Sequence, residues 1–188
     1  MRQWVSKWLI HFLNWGSLLL LLGYAAAVFD ILPERIPLHF DVTGRPDAWT
    51  ELSMENWLFF PLLAFICCAL LYIFGLLVPS LRRRPEILIV PFKRRFLELT
   101  DKQRAPVFKL VAGAVFQVIL PTNLLFFWIQ RETFKVNLGA KQSRMIWEAL
   151  GVWAIVVAVI WILFSMRFFA AIRKAVGVSD EEYEPEAE

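Results

Sequence analysis

Residues 56–79 have the sequence NWLFFPLLAFICCALLYIFGLLVP, which contains no aspartate, glutamate, lysine or arginine. A helix needs about 20 consecutive, mostly apolar residues to cross the hydrocarbon core of a bilayer. Three further runs of similar length and composition accompany this one, at residues 8–32, 107–129 and 146–168. The sequence therefore predicts an all-α integral membrane protein with four transmembrane helices.

The composition agrees with this prediction. Of 188 residues, 59% are hydrophobic and 20% are charged, whereas soluble domains have about 45–50% and about 25%. This surplus excludes a secreted disulfide scaffold, a disordered regulator and a soluble enzyme with a large water-facing domain. Cys67 and Cys68 are adjacent, which suits neither an ordinary disulfide nor a zinc site. We expect no cofactor and no nucleic-acid partner.

The distribution of positive charge predicts the orientation, because lysine and arginine favour cytoplasmic loops. The loop after the first span has only Arg35 and Arg45, and the loop after the third has Arg131, Lys135, Lys141 and Arg144. The loop after the second span carries eight basic residues: Arg82, Arg83, Arg84, Lys93, Arg94, Arg95, Lys102 and Arg104. Residues 1–174 are thus predicted to form a transmembrane domain with both termini cytoplasmic, followed by a disordered acidic tail at 175–188.

The loop after the first span is rich in residues that constrain the backbone. Pro33 and Pro37 favour an extended chain. In such a chain alternate residues share a face, which places Ile36, Leu38 and Phe40 on one side and Pro37, His39 and Asp41 on the other. Thr43 to Pro46 form a predicted turn with Gly44 at a positive φ. Ser53 is a predicted helix N-cap.

The turn would bring Asp47 back towards His39 and Asp41, and several roles remain open for these three residues. Imidazole and carboxylate are ligands for zinc or manganese, so a metal site is one hypothesis. Hydrogen bonds that hold the loop in place are another. Recognition of a peptide, a lipid headgroup or a partner protein, or proton sensing by His39, are further alternatives.

Four sequence elements of this loop resemble a known family. They are Leu32-Pro33, Ile36-Pro37, His39-Phe40 and Gly44-Arg45-Pro46-Asp47, followed by Trp49. This order resembles a prokaryotic membrane domain of unknown function, also present at the N-terminus of proteins like the immunity protein of the sporulation-delaying toxin system. The resemblance covers about the first third of the chain. It implies binding through Pro33, Pro37, His39, Phe40, Asp41, Gly44, Pro46, Asp47 and Trp49.

The resemblance implies a multi-pass protein of a prokaryotic cell membrane with a recognition or immunity role, or an accessory subunit of a membrane complex. Its loop at residues 33–55 would recognise a peptide or a membrane protein. The alternative is a metal-dependent membrane enzyme or transporter that uses His39, Asp41 and Asp47. The sequence contains no nucleophile–base pair, phosphate loop or cofactor motif, so a non-enzymatic role is favoured.

Two basic clusters mark the loop after the second span, and they are Arg82, Arg83, Arg84, Lys93, Arg94 and Arg95. In a helix that begins near Phe92, the side chains of Phe92, Phe96 and Leu99 share one face. This pattern predicts an amphipathic helix on the membrane surface, with its cations among lipid headgroups. The segment would contact membrane lipids or hold a cytoplasmic regulator, and the simpler alternative is that its charge only sets the topology.

Few polar residues interrupt the spans. Thr122 or Asn123 is predicted to hydrogen-bond to another helix, and Pro121 is predicted to kink the third span. His11 is predicted to lie at the inner interface. Trp57, Trp128 and Trp147 are predicted to mark outer membrane boundaries.

Overall fold

The structure is a computed structural model that describes residues 2–41, 43–140 and 145–177. The predicted tail beyond residue 177, and Lys141 and Arg144, lie outside the described residues. The described chain contains six α-helices, three short 3-10 helices and one hairpin of two antiparallel strands. In chain order, the α-helices and strands are α1 (Arg2–Ala27), β1 (Arg35–Phe40), β2 (Pro46–Glu51), α2 (Met54–Trp57), α3 (Phe59–Leu77), α4 (Lys93–Glu98), α5 (Asp101–Asn137) and α6 (Met145–Val176).

Four segments are long and apolar enough to cross a membrane, as predicted. They are Trp8–Ile31, Phe59–Arg83, Asp101–Asn137 and Trp147–Val176. The third is longer than the predicted 107–129. Thr100 and Gln103 form a capping box that starts α5 six residues earlier. Helical backbone also continues through Pro106 and Pro121 and past Arg131, so Arg131 and Lys135 lie on the helix rather than in a loop.

Helix α5 is the centre of the bundle, since it packs against α1, α3 and α6. We name the two ends of the bundle by what they carry. The hairpin end contains the hairpin (residues 35–51), and the basic end contains the basic segment (residues 80–100). Three buried clusters run between these ends, and the middle one consists of Leu18, Leu21, Ala64, Cys68 and Ile119.

A polar network joins α1 to α5 inside the bundle, and it confirms the prediction for Asn123. The Asn123 amide donates to the Asn14 carbonyl at 2.9 Å and to the Ser17 hydroxyl at 3.1 Å. The Asn14 amide in turn donates to the carbonyl of Phe116, also at 2.9 Å. Thr122 accepts a longer bond of 3.4 Å from the indole of Trp153 on α6. These bonds fix the register of α1 and α6 along α5.

The basic segment corrects one prediction. The face containing Phe92, Phe96 and Leu99 exists, on the short helix α4, but it packs on protein. Phe96 is completely buried in a cluster with Val78, Val90, Val107, Phe108, Ala112 and Ile172, and Phe92 and Leu99 pack against it. An amphipathic pattern shows that one face is apolar, and here residues of α5 and α6, together with Val78 and Val90, cover that face. The six basic side chains of the two clusters remain exposed.

Helix α3 lies close to α5 at Gly75. A Cβ atom on Gly75 would lie 2.7 Å from the ring of Phe116, and the rings of His11 and Tyr72 pack against that ring. We expect Gly75→Ala to lower the free energy of unfolding by about 1–3 kcal/mol through overpacking. Denaturant titration in detergent measures this change. The control is Gly23→Ala, because a Cβ there meets no atom within 4 Å, and equal effects of the two variants would refute the close approach.

Candidate functional site

The turn of the hairpin is organised around Asp41. Its Oδ1 accepts hydrogen bonds from the amide and hydroxyl of Thr43, both at 2.7 Å, and from the amide of Arg45 at 3.0 Å. Gly44 has a φ of 78°, which confirms the predicted glycine turn. Asp41 therefore holds the turn through its Oδ1.

These bonds to Asp41 give a pH prediction. The Thr43 hydroxyl, followed by the Arg45 amide, holds the pKa of Asp41 below its usual value of 3.8. A carboxylate whose pKa is lowered by folding stabilises the turn above its unfolded pKa, and this contribution is lost as the pH falls through the folded pKa. We expect the amide resonance of Thr43 to titrate with a midpoint below pH 3.8, as measured by NMR in micelles. The resonance should not titrate in this range in Asp41→Asn, and a midpoint at or above 3.8 in the parent chain would contradict the assignment.

The side chain of His39 pairs with Asp47 across the hairpin. Its Nδ1 lies 2.6 Å from Oδ1 of Asp47. The register slips on both sides of His39: Pro37 faces Trp49, His39 faces Ala48 and Phe40 faces Pro46. Such bulges redirect side chains, so Leu38 is 57% exposed while Ile36 is 2% exposed. The predicted alternation that put Ile36 with Leu38, and His39 with Asp41, was wrong for this reason.

The three candidate metal ligands are therefore only partly brought together. His39 and Asp47 are adjacent, whereas Asp41 uses its Oδ1 for three donors of the turn. Within residues 2–41, 43–140 and 145–177, no group of three or more histidine, cysteine or acidic side chains could hold a metal ion. Only two of the candidate metal ligands, His39 and Asp47, are thus shown to be adjacent. Structural and catalytic zinc sites use more protein ligands than two.

One face of β2 is exposed. Asp47, Trp49 and Glu51 alternate with half-buried residues, so their side chains share a face. Trp49 is 44% exposed, and the side chain of His39 beside Asp47 is 68% exposed. We call Asp47, Trp49 and Glu51 the β2 face. It presents a large aromatic side chain between two carboxylates.

The other signature residues lie around this face. Pro33 is exposed, Phe40, Asp41 and Pro46 are half-buried, and Pro37 and Gly44 are buried. An exposed pair such as His39–Asp47 contributes little to folding stability, and Trp49 is itself 44% exposed. We therefore expect these three side chains to be replaceable without unfolding the protein, whereas the buried positions support the hairpin.

The hairpin is fixed to the bundle through Trp57. The indole of Trp57 donates to the carbonyl of Ala25 at 2.8 Å, and its own carbonyl accepts from the amide of Gln130 at 3.1 Å. These bonds join the end of α1, helix α2 and helix α5. Trp57 is only 2% exposed, so the prediction that it anchors among lipid headgroups was wrong.

Apolar contacts and a helix cap complete this attachment. Trp57 packs in a cluster with Ala25, Leu32 and Ile36, and Phe134 of α5 packs against the same cluster. The Ser53 hydroxyl accepts from the amide of Asn56, which confirms the predicted N-cap. The Asn56 side chain donates to the backbone carbonyl of Glu51 at the end of β2. The strands are thus held to the first turn of α2.

Sequence reasoning missed a buried carboxylate at this end of the bundle. The side chain of Glu132 is 5% exposed, with the Lys135 ammonium at 2.6 Å and the Arg131 guanidinium at 3.5 Å. All three residues are on α5, which also contacts β1. The i to i+3 spacing of Glu132 and Lys135 was the available signal, but the segment was taken for a loop.

Comparison with known families identifies the same region. Residues 16–65 match the family model described as a domain of unknown function, DUF1648. The match includes the second half of α1, the hairpin, α2 and the start of α3, which is less than half of the chain. This agrees with the predicted similarity to a membrane domain of unknown function. No curated protein matches this chain, and no solved structure does.

Proposed function

We propose that this chain is a non-enzymatic, multi-pass protein of a prokaryotic cell membrane whose hairpin recognises a peptide segment of a partner outside the cytoplasm. The partner would be a peptide met by an immunity-type protein, or a neighbouring subunit for which this chain is an accessory. The observation that carries the proposal is the exposed β2 face on a hairpin that Trp57 fixes to the bundle. The resemblance of residues 32–49 to the loop of immunity-type membrane proteins, which was inferred from the sequence, supports it.

The orientation in this proposal rests on charge. Six exposed arginine and lysine side chains lie at the basic end, opposite the hairpin. Because such residues favour the cytoplasmic side, the hairpin end is placed outside. The same six side chains would contact anionic lipids or a cytoplasmic regulator, which is a separate part of the proposal.

The hairpin has the features of a peptide-binding edge. β1 contacts α5, and β2 is the other strand of the two-stranded sheet. A peptide that adds to a free strand edge gains main-chain hydrogen bonds, and neighbouring side chains supply specificity. Trp49 offers apolar area and Asp47 and Glu51 offer negative charge, so the favoured peptide carries apolar and basic residues.

Photocrosslinking in intact cells tests this role. A photoreactive phenylalanine analogue at position 49 is expected to give one discrete protein adduct, and Asp47→Asn should reduce its yield. The matched control is the same analogue at Phe59, a similarly exposed aromatic residue on α3 (56% exposed, against 44% for Trp49). Identical adduct patterns at positions 49 and 59, or a yield unaffected by Asp47→Asn, would count against recognition by the β2 face.

A second candidate function follows from the 2.6 Å separation of His39 and Asp47. A metal-dependent membrane enzyme or transporter would use this pair as two ligands and would need others from a partner or from water. Zinc titration of the purified chain distinguishes it. One tightly bound zinc ion per chain, lost in Asp47→Asn, would favour the metal role, whereas the recognition role predicts the same weak zinc binding in both proteins.

A further inference from the structure

A pocket opens at the side of the bundle between α1 and α5, towards the basic end. It has a volume of about 440 Å³ and is lined by Ile10, His11, Pro79, Lys109, Ala112, Gly113, Phe116 and Gln117. Most of the lining is apolar. The polar groups are the Lys109 ammonium, the imidazole of His11 and the amide of Gln117. A mainly apolar pocket that also contains an ammonium group suits an amphipathic, anionic ligand.

Lys109 lies within one of the four candidate spans. An ionisable residue in such a segment is a candidate for a functional role. On α5 Lys109 is separated from Arg131 by about 33 Å, at a rise of about 1.5 Å per residue. The hydrocarbon core is about 30 Å thick. If Arg131 marks one boundary of the core, Lys109 therefore marks the other, at the level of the lipid phosphates.

The partners of these groups leave the pocket cationic. Lys109 has no ion pair with any residue in the part of the chain that the structure describes. The Nδ1 of His11 lies 3.1 Å from the hydroxyl of Tyr72, and the ring of Phe116 packs edge-on against the imidazole. When the Tyr72 hydroxyl donates to Nδ1, the other ring nitrogen carries a proton that can be donated to a ligand.

We propose that this pocket binds one anionic phospholipid of the adjoining leaflet, with its headgroup at Lys109 and His11. Its acyl chain would lie along Gly113 and Phe116. The phosphate accepts hydrogen bonds from the ammonium and the imidazole, and the negative net charge of the lipid neutralises Lys109. This lipid site is separate from the hairpin, and it does not depend on the proposed recognition role of the hairpin.

Native mass spectrometry of the purified full chain tests the site. The probes are phosphatidylglycerol and phosphatidylcholine with identical acyl chains, added to the protein in detergent. We expect phosphatidylglycerol to bind about fivefold more tightly than phosphatidylcholine, and Lys109→Gln to abolish this preference. The matched control is Lys102→Gln, an exposed lysine on the first turns of the same helix, which should leave the preference intact.

A second variant blocks the pocket without changing its charge. A Cβ at Gly113 meets no atom within 4 Å, so Gly113→Leu fits the helix and fills the cavity. It should weaken binding of both lipids at this site. The proposal is overturned if Lys109→Gln and Lys102→Gln have equal effects, or if Gly113→Leu binds lipid as the parent chain does. It is also overturned if millimolar inorganic phosphate displaces the lipid, since that outcome indicates a small-anion site.

Discussion

Replacing Trp57 by alanine is expected to lower the free energy of unfolding by about 3–5 kcal/mol, because it removes the largest fully buried side chain among the residues that the structure describes. Trp57→Phe should have a smaller effect, since an aromatic ring is kept while the pyrrole part of the indole and its hydrogen bond to the Ala25 carbonyl are lost. Denaturant titration in detergent measures both values.

The control for this prediction is Trp8→Ala. Trp8 is 69% exposed, so its replacement should change the free energy of unfolding by less than about 0.5 kcal/mol. Hydrogen exchange adds a local measurement, because Trp57→Ala should also raise exchange in β1 and β2. Equal stability of the Trp57→Ala and Trp8→Ala variants would show that the hairpin is not attached through Trp57.

Phe96→Ala is expected to have a comparable effect, about 3–5 kcal/mol, because Phe96 is completely buried between α4 and the transmembrane helices. If α4 lay on the membrane surface instead, the substitution would weaken lipid contact and leave the unfolding of the bundle nearly unchanged. The same denaturant titration therefore decides between the two placements of the basic segment.

Ile89→Ala is the matched control for Phe96→Ala. Ile89 is an apolar residue of the same segment and is 92% exposed, so its loss should change the free energy of unfolding by less than about 0.5 kcal/mol. Packing of α4 on the bundle requires a difference of several kcal/mol between the two variants. Similar values for both would contradict it.

The sequence predicted those features that depend on local composition. Hydropathy predicted the four spans, the glycine at position 44 predicted the turn, and Ser53 predicted the start of α2. Each of these signals acts over a few neighbouring residues or along one helix. The prediction that Asn123 bonds to another helix also held, because a buried amide in a span needs a partner.

The predictions that failed concern features that depend on which surfaces of the protein contact one another. An apolar face does not reveal whether lipid or protein covers it, so Phe96 was assigned to the membrane and Trp57 to the headgroups. Strand alternation assumes a regular ladder, and the bulges beside His39 break it, so the predicted common face of Ile36 and Leu38 failed. The turn did bring Asp47 back to His39, as predicted. Glu132 is buried because helix α5 continues beyond the apolar run. The charged residues at the end of that run had suggested that the helix ends there.

In the proposed orientation the hairpin faces the outside of the cell and the basic segment faces the cytoplasm. Labelling of single introduced cysteines with a membrane-impermeant maleimide tests this orientation most directly. The parent chain is the control, because its Cys67 and Cys68 lie within α3, and Cys68 is buried. Glu51→Cys on the hairpin and Arg83→Cys in the basic segment replace exposed residues. The account predicts labelling of Glu51→Cys in intact cells and of Arg83→Cys only after permeabilisation, and the reverse pattern would contradict it.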